Sequence, residues 1–230
     1  MTIRLHKRGM LLNTVYRKLA FAVLLLAAGL LACTPPSPTP TLSPFQGRSV
    51  LLRDDFSVPD AAWTLFDTSE GAAYIRDGEL TLEDRGQGIG IYTQRLNQSW
   101  EDVVINVQVR QVAGTQDNWM GVLARQQDEQ NYYLFAFSAD GYYLILRVKD
   151  GVATALAGPT SDEYINPGQD TNYLQVRCEG DTLALSVNGL LRASRTDDTF
   201  ATGQVALFAD AVAPGETTTV AFDSLVISEP

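Results

Sequence analysis

The sequence has 230 residues, with 17 Lys and Arg, 27 Asp and Glu, and one histidine, so its net charge at pH 7 is −10. Five of the basic residues precede residue 33 and no acid precedes Asp54, so the chain beyond residue 32 carries −15. Nucleic acid and anionic headgroups repel so acidic a domain, which argues against nucleic acid as a partner. The histidine is His6, and its loss with a signal would exclude histidine-based catalysis and histidine metal sites.

The N-terminus combines a basic segment with a run of about 14 uncharged residues, 19–32. A basic head before a short apolar run is typical of a secretory signal. The run is shorter than the ~20 residues that a membrane-spanning helix needs. We therefore predict a signal peptide over residues 1–32, with an uncleaved membrane anchor as the alternative.

Leu30-Leu31-Ala32-Cys33 ends this run and resembles the lipobox of bacterial lipoproteins. The resemblance implies that the signal is cut before Cys33 and that Cys33 is lipidated, so several acyl chains anchor the protein in a membrane. The expected location is the extracytoplasmic side of the bacterial cell envelope. Thr34 is not the aspartate that resembles an inner-membrane retention signal, which favours the outer membrane if the cell has one.

Residues 33–47 are rich in Pro, Ser and Thr. Proline lacks the N–H of a helix or central strand and favours the extended polyproline conformation. We predict a linker here that holds a folded domain, residues 48–230, away from the membrane surface.

Alternation of apolar and polar residues dominates that domain, and no long helical stripe appears. The clearest strand is 103–109, where Val103, Ile105, Val107 and Val109 share one face; 183–187 and 205–209 repeat the pattern. The aromatic-rich runs 132–137 and 142–146 are apolar on both faces, which predicts central strands covered on both sides. Cys178 shares strand parity with Leu174 and Val176, so we expect a buried thiol and no disulfide.

Hairpin signals separate these strands. Asp77-Gly78, Asp140-Gly141, Asp150-Gly151 and Asn188-Gly189 are dipeptides that type I′ turns favour. Roughly a dozen short strands at this spacing predict one all-β, two-sheet antiparallel sandwich.

The order of these segments, from "DGELTLE" through "GVLARQQDEQNYYLFAFSADGYYLILR" to the closing "VAFDSLVIS", resembles the concanavalin A-like jelly-roll superfamily of lectins and glucanases. Within that superfamily, the pattern resembles laminin-G-like domains and the 3-keto-disaccharide hydrolase-type domain. The resemblance implies one concave sheet, glycan sites on that sheet or its rim, and first and last strands that lie together. It does not carry an activity.

Catalytic and metal sites have weak support in the sequence. The glutamate pair of laminarinase-type members is missing, and Asp128-Glu129 and Asp162-Glu163 are adjacent acids that would point to opposite faces of a strand. We expect no catalytic residue and no required cofactor. Calcium is the exception to test, because Asp117 and Asp128 flank the segment 119–125 and offer oxygen ligands.

Three functions remain open at this point: a lipid-anchored, non-catalytic carbohydrate-binding module, a glycan hydrolase of the 3-keto-disaccharide hydrolase type, and a structural or protein-interaction domain of the envelope. The first needs aromatic side chains for stacking on sugars and a few polar groups for their hydroxyls. The candidate ligand-binding residues are Asn106, Gln108, Arg110, Trp119, Arg125, Tyr133, Tyr143 and Arg147. A solvated strand face for the first three and core packing for the aromatic residues are the alternatives.

Overall fold

The computed structural model describes residues 48–58, 62–88 and 90–230, together with the backbone of Thr2 and Ile3. In these ranges the chain forms strands and turns, and no helix there is long and apolar enough to cross a membrane. The strands, in chain order, are β1 (Thr2–Ile3), β2 (Val50–Asp54), β3 (Phe66–Asp67), β4 (Gly71–Arg76), β5 (Glu79–Asp84), β6 (Gly90–Gln94), β7 (Val103–Gly114), β8 (Trp119–Gln126), β9 (Tyr132–Phe137), β10 (Tyr142–Lys149), β11 (Val152–Ser161), β12 (Asn172–Glu179), β13 (Thr182–Val187), β14 (Leu190–Thr196), β15 (Gln204–Asp210) and β16 (Thr218–Ser228).

Two antiparallel sheets hold all of these strands. Sheet A has the order β1-β6-β15-β8-β9-β10-β11, and sheet B has the order β14-β13-β12-β7-β16-β5-β4-β3. The strand β2 joins sheet B through the second half of β16, where Leu52 faces Ile227. The first and last long strands therefore lie together, as the resemblance implied. The all-β, two-sheet prediction is confirmed.

The main core lies between the sheets. Val103, Ile105, Val107 and Val109 of β7 face inward, as their alternation predicted. They meet inward side chains of sheet A such as Phe135 and Leu207. Burial of each large apolar side chain contributes about 1.5–3 kcal/mol. The alternation itself therefore selects which face of each strand turns inward.

Left-handed backbone marks the predicted hairpins. Asp77-Gly78, Asp150-Gly151 and Asn188-Gly189 have positive φ at both residues, as a type I′ turn requires. At Asp140-Gly141 only Gly141 has positive φ, and the turn is closed by Gly141 N–H donating to the Ser138 carbonyl at 3.0 Å. The four dipeptides join β4 to β5, β9 to β10, β10 to β11, and β13 to β14.

The thiol of Cys178 is in the inter-sheet core and fully buried. Burial raises its pKa to about 12, so it stays protonated near neutral pH. The prediction of a buried, unpaired cysteine is confirmed. The predicted signal, the linker and Cys33 fall within residues 1–47, of which the structure describes only Thr2 and Ile3, so the boundaries at 32 and 47 stay predictions.

Candidate functional site

The eight candidate ligand-binding residues lie in three separate places, so they do not form one site. Asn106, Gln108 and Arg110 have the opposite strand parity to the inward valines and lie on the outer face of sheet B. Trp119 lies on the outer face of sheet A. The other four are inside the sandwich or at its rim, and they are described first.

Arg125 is a structural arginine. Its side chain is 2% exposed, and its guanidinium donates to the carbonyls of Glu101, Gly180 and Phe200 at 2.8–3.0 Å and to Asp102 at 3.1 Å. All three guanidinium nitrogens therefore donate hydrogen bonds to neighbouring loops, and none is available for a ligand. The prediction of Arg125 as a ligand-binding residue is wrong.

Tyr133 and Arg147 belong to one buried network centred on Asp197. The Tyr133 hydroxyl donates to Asp197 Oδ1 at 2.6 Å and accepts the N–H of Phe200 at 3.1 Å. Arg147 Nη1 donates to Asp197 Oδ2 at 2.7 Å. Burial, reinforced by the Asp197 carboxylate, raises the pKa of Tyr133 to about 12.

Tyr133 and Tyr143 share the face of sheet A that looks into the main core. Tyr143 is half-buried and packs against that core. Because adjacent residues on a strand point to opposite faces, Tyr132 rather than Tyr133 takes the outer position. The structure therefore places Tyr133, Tyr143 and Arg147 in the packing of the sandwich, which corrects their assignment to the same site as Trp119.

On the outer face of sheet B, two of the three predicted polar residues pair with side chains of other strands in the sheet. Arg110 makes a bidentate ion pair with Glu79 at 3.0 and 2.5 Å, a geometry that satisfies the guanidinium fork. Asn106 Oδ1 accepts the side-chain amide of Gln175 at 2.8 Å. Asn106 is 6% exposed and its Nδ2 has no hydrogen-bond partner, so the solvated strand face that the sequence left open does not describe this residue.

The outer face of sheet A carries a second apolar cluster, separate from the main core. Its members alternate along β6, β15, β8, β9 and β10 and are Tyr92, Trp119, Leu123, Tyr132, Leu134, Ala136, Leu144, Leu146, Val148, Ala206 and Phe208. All of them are at most 8% exposed. The described strands form only two layers, so no described strand lies across this face.

Strand pairing places the members of this cluster in rows. Tyr92 is opposite Phe208 across β6 and β15, and Leu123 is opposite Leu134, which is opposite Leu146. Aromatic side chains therefore concentrate towards the β6 side and aliphatic side chains towards β10. Gly90 allows this arrangement, since a Cβ there would be 2.5 Å from the Phe208 ring.

The polar atoms that are buried without a hydrogen-bond partner on or beside this face include Tyr92 Oη, Tyr132 Oη and Gln126 Oε1. The Gln126 amide is near enough to the Tyr92 phenol to influence its pKa but does not have hydrogen-bonding geometry. Burial raises the pKa of both phenols, and the Tyr92 phenol raises the pKa of Tyr132 further. Unpaired buried polar atoms cost about 1–3 kcal/mol each, which a bound partner would recover.

Carboxylates are sparse on this face. Asp210 pairs with Trp119 across β15 and β8 and is the one acidic residue at a strand position of the face within the described ranges. A two-carboxylate glycosidase needs a second acid across the scissile bond. The strand positions of the described chain do not supply it.

Asp117 and Asp128 do not come together. They precede and follow the eight-residue strand β8, so about 25 Å of extended backbone separates them. Asp128 caps its own turn by accepting from the Gln130 N–H and the Asn131 amide. Among the described residues, no three His, Cys, Asp or Glu side chains are grouped as a metal site. The two residues cannot hold one calcium ion between them.

The residues that sequence reasoning missed are Tyr92, Tyr132, Phe208 and Gln126. The signal for Tyr132 was present, because the run Tyr132–Phe137 is apolar on both faces and predicted a cover other than the main core. No sequence signal fixed which of the adjacent tyrosines faces outward, since that choice depends on the register of β9 against β8.

Several solved structures share this architecture. A carbohydrate-binding module, CBM66 from Bacillus subtilis, superposes with a TM-score of 0.58 at 17% identity, covering 73% of this chain and 96% of that one. A Bacillus subtilis protein with a galectin-like fold gives 0.57 at 11% identity, covering 79% and 96%. An endo-β-galactosidase from Clostridium perfringens gives 0.59 at 8% identity, covering 85% of this chain and 65% of the enzyme.

The sequence comparisons find no relative, since no protein-family model and no curated protein matches the chain. At 8–17% identity, the structural likenesses establish the fold and leave the ligand open. The chain is an all-β sandwich of two antiparallel sheets, with the fold of galectin-like and carbohydrate-binding domains.

Proposed function

We propose that this protein is a lipid-anchored, non-catalytic carbohydrate-binding module displayed on the bacterial cell envelope, and that its sugar site is the outer face of sheet A. The observation that carries the proposal is the combination of aromatic rings with unpartnered polar atoms on that face. Tyr92, Trp119, Tyr132 and Phe208 are aromatic, and Gln126 adds an amide. Binding sites are mostly apolar surfaces with a few convergent polar groups.

Sugar recognition fits these residue types. Aromatic rings stack on the C–H faces of sugars without any titrating group, and the phenol and amide oxygens can pair with hydroxyls. The mature chain's charge of −15 favours neutral glycans, since like charge slows the encounter with sulfated or uronic ones. The similar solved structures include a carbohydrate-binding module and a galectin-like protein, which supports a glycan ligand by analogy of fold.

Display at the envelope rests on the sequence. Lipidation at Cys33 and the linker 33–47 would hold the domain off the membrane. Cleavage before Cys33 would also remove β1, which pairs with β6 at the Tyr92 side of the proposed site. The side chains of the proposed site are at most 8% exposed in the full chain, so we expect binding only in the processed form.

A hydrolase is the second candidate, since solved glycoside hydrolases share the fold. The outer face of sheet A argues against it, because Asp210 is its one strand-position acid in the described chain. Release of reducing sugar from a polysaccharide, abolished by Asp210→Asn, would establish the hydrolase instead.

The test is a glycan array probed with residues 48–230, followed by calorimetry on the best ligand. Trp119→Ala removes a central ring of the face, and loss of such a ring costs about 2 kcal/mol or more, so affinity should fall at least about tenfold. Tyr74→Ala is the matched control, because Tyr74 lies on the outer face of sheet B.

The melting temperature of each variant shows whether it is folded. Equal affinity of folded Trp119→Ala and wild type would place the sugar elsewhere. Absence of any array signal from the folded domain would contradict glycan binding.

A further inference from the structure

We infer that the free edge of β11 is an interaction surface, at which a second copy of this chain pairs its own β11 antiparallel to the first. The strand β11 is the last in the order of sheet A, and within the described ranges it pairs with β10 alone. The inference concerns the edge of sheet A and not its outer face, so it does not depend on the proposed sugar site. The exposure of the strand, the direction of its backbone groups and its lack of charge carry it.

The edge strand β11 is open to solvent. Val152 is 66% exposed, and the next three residues, 153–155, are exposed as well. Of the ten residues in the strand, only Ala157 is buried. The opposite edge of sheet A differs, because the Thr64 N–H donates to the Gln94 carbonyl of β6 and so covers part of that edge. A partner strand can therefore reach β11 without displacing another segment of the described chain.

The backbone of β11 directs hydrogen-bonding groups outward. A two-residue type I′ hairpin joins β10 to β11, so the pair Lys149–Val152 that closes it exchanges both of its hydrogen bonds. Hydrogen-bonded and non-hydrogen-bonded pairs alternate along an antiparallel ladder, so Thr154 bonds to β10, whereas Ala153 and Ala155 point their N–H and C=O groups away from it. These four groups match what an added strand needs.

The strand β11 lacks the charges that usually keep edge strands apart. Its sequence, VATALAGPTS, has no Asp, Glu, Lys or Arg, in a chain whose residues beyond 32 carry −15. Proline and bulges also protect edges, but here Pro159 and the irregular pairing lie in the second half of the strand and leave 152–155 regular. Two acidic domains repel each other over most of their surfaces, and this uncharged edge lets two copies meet without opposing charged strand residues.

The regular half of β11 is its own complement. In an antiparallel pairing centred on Thr154, Ala153 of each copy is opposite Ala155 of the other, and the two pairs exchange four backbone hydrogen bonds. Thr154 then faces its own counterpart in a non-hydrogen-bonded pair, and paired threonines are favourable across strands. One strand from each copy is a small contact, so we expect weak and reversible association.

Cross-linking through one introduced cysteine tests this register in the full chain. Across a non-hydrogen-bonded pair the two Cα atoms are about 4.5 Å apart, which is within the range of a disulfide. Cells that express Thr154→Cys are treated with a mild oxidant, which accepts the two electrons that the two thiols release. Thr160→Cys is the matched control, since Thr160 is exposed on the same strand but does not face itself in this register. We expect at least about tenfold more disulfide-linked dimer from Thr154→Cys.

Paired substitutions in the Thr154→Cys background separate strand pairing from charge. Ala153→Glu with Ala155→Glu places like charges opposite each other, so the cross-linked dimer should fall at least about fivefold. Ala153→Glu with Ala155→Lys places opposite charges there and should retain the dimer. Ser194→Glu with Thr196→Glu, at exposed positions of β14, adds the same charge elsewhere and should leave cross-linking unchanged. The melting temperature of each variant shows whether it is folded.

Each result supports or overturns the inference. Equal cross-linking of Thr154→Cys and Thr160→Cys, or none from either, overturns it. Loss of the dimer in both Ala153 and Ala155 double variants contradicts the antiparallel register. A cross-linked product whose mass identifies a different protein makes β11 the edge for that protein and overturns its assignment to a second copy. None of these results depends on glycan binding, so failure here leaves the proposed function standing.

Discussion

Replacing Tyr133 with phenylalanine removes one oxygen atom from the network around Asp197 and keeps the ring in the main core. The lost hydroxyl donates to Asp197 Oδ1 at 2.6 Å and accepts the Phe200 N–H at 3.1 Å, and the Tyr133 side chain is fully buried. A hydrogen bond to a charged group contributes about 1.5–3 kcal/mol, and a stranded buried N–H costs about 1–3 kcal/mol. These effects overlap, so we expect the free energy of unfolding to fall by about 2–4 kcal/mol.

Urea denaturation followed by tryptophan fluorescence measures this loss, and a thermal scan should show a fall in melting temperature of roughly 5–15 °C. Tyr164→Phe is the matched control, since Tyr164 is 55% exposed in the loop between β11 and β12, and we expect a change within about 0.5 kcal/mol. Glycan affinity should be the same in both variants. A stable Tyr133→Phe variant, or one that is stable but loses its ligand, would refute the assignment of Tyr133 to the packing of the sandwich.

The same network predicts a pH dependence. Burial alone would raise the pKa of Asp197, but hydrogen bonds from Tyr133 and Thr199 and the Arg147 charge outweigh it and lower the pKa below the usual 3.8. A lowered folded-state pKa means that this stabilisation is present above pH 3.8 and is lost as the pH falls through the folded value. Asp197→Asn should therefore lose stability at neutral pH and lose less than the wild type on further acidification. Parallel acid profiles of the two proteins would contradict this account.

Three further outcomes are expected. Cys33→Ala should move the protein from the membrane fraction to the soluble fraction and abolish incorporation of labelled palmitate, and equal labelling of both forms would contradict lipidation at Cys33. Residues 48–230 should give a strand-type circular dichroism spectrum in reducing buffer, since Cys178 is unpaired, and a helical spectrum or loss of structure with reductant would contradict the sandwich. Arg125→Met should lower the free energy of unfolding by about 2–4 kcal/mol because it removes the hydrogen bonds to three backbone carbonyls and Asp102. Arg76→Met, at an exposed position, should be nearly neutral, and equal stability of the two variants would show that Arg125 is not structural.

The sequence predicted which face of each of these strands turns towards the core. Apolar and polar residues alternate at 103–109, 183–187 and 205–209. Because side chains on a strand alternate between two faces and apolar burial is favourable, this pattern alone identifies the inward face. The hairpins were predictable for an equally local reason, because Asp-Gly and Asn-Gly tolerate the positive φ that their turns require. The burial of Cys178 follows from the same period.

The sequence could not decide which strands become neighbours, and the site depends on that choice. Asn106 and Trp119 looked compatible in sequence, but their strands β7 and β8 belong to opposite sheets, so their side chains lie on the two outer surfaces. Arg125 was predicted to bind a ligand because the sequence does not show its three carbonyl partners. These partners come from residues 101, 180 and 200, which are far apart along the chain.

The choice between Tyr132 and Tyr133 shows the same limit at one position. Both residues precede the same apolar run, and each has a ring and a hydroxyl. Sequence alone established that one must face the main core and the other must face away, since neighbours on a strand alternate. Only the pairing of β9 with β8 and β10 decided that Tyr133 reaches Asp197 inside the sandwich while Tyr132 joins Tyr92 on the outer face, because register is set by contacts between distant segments.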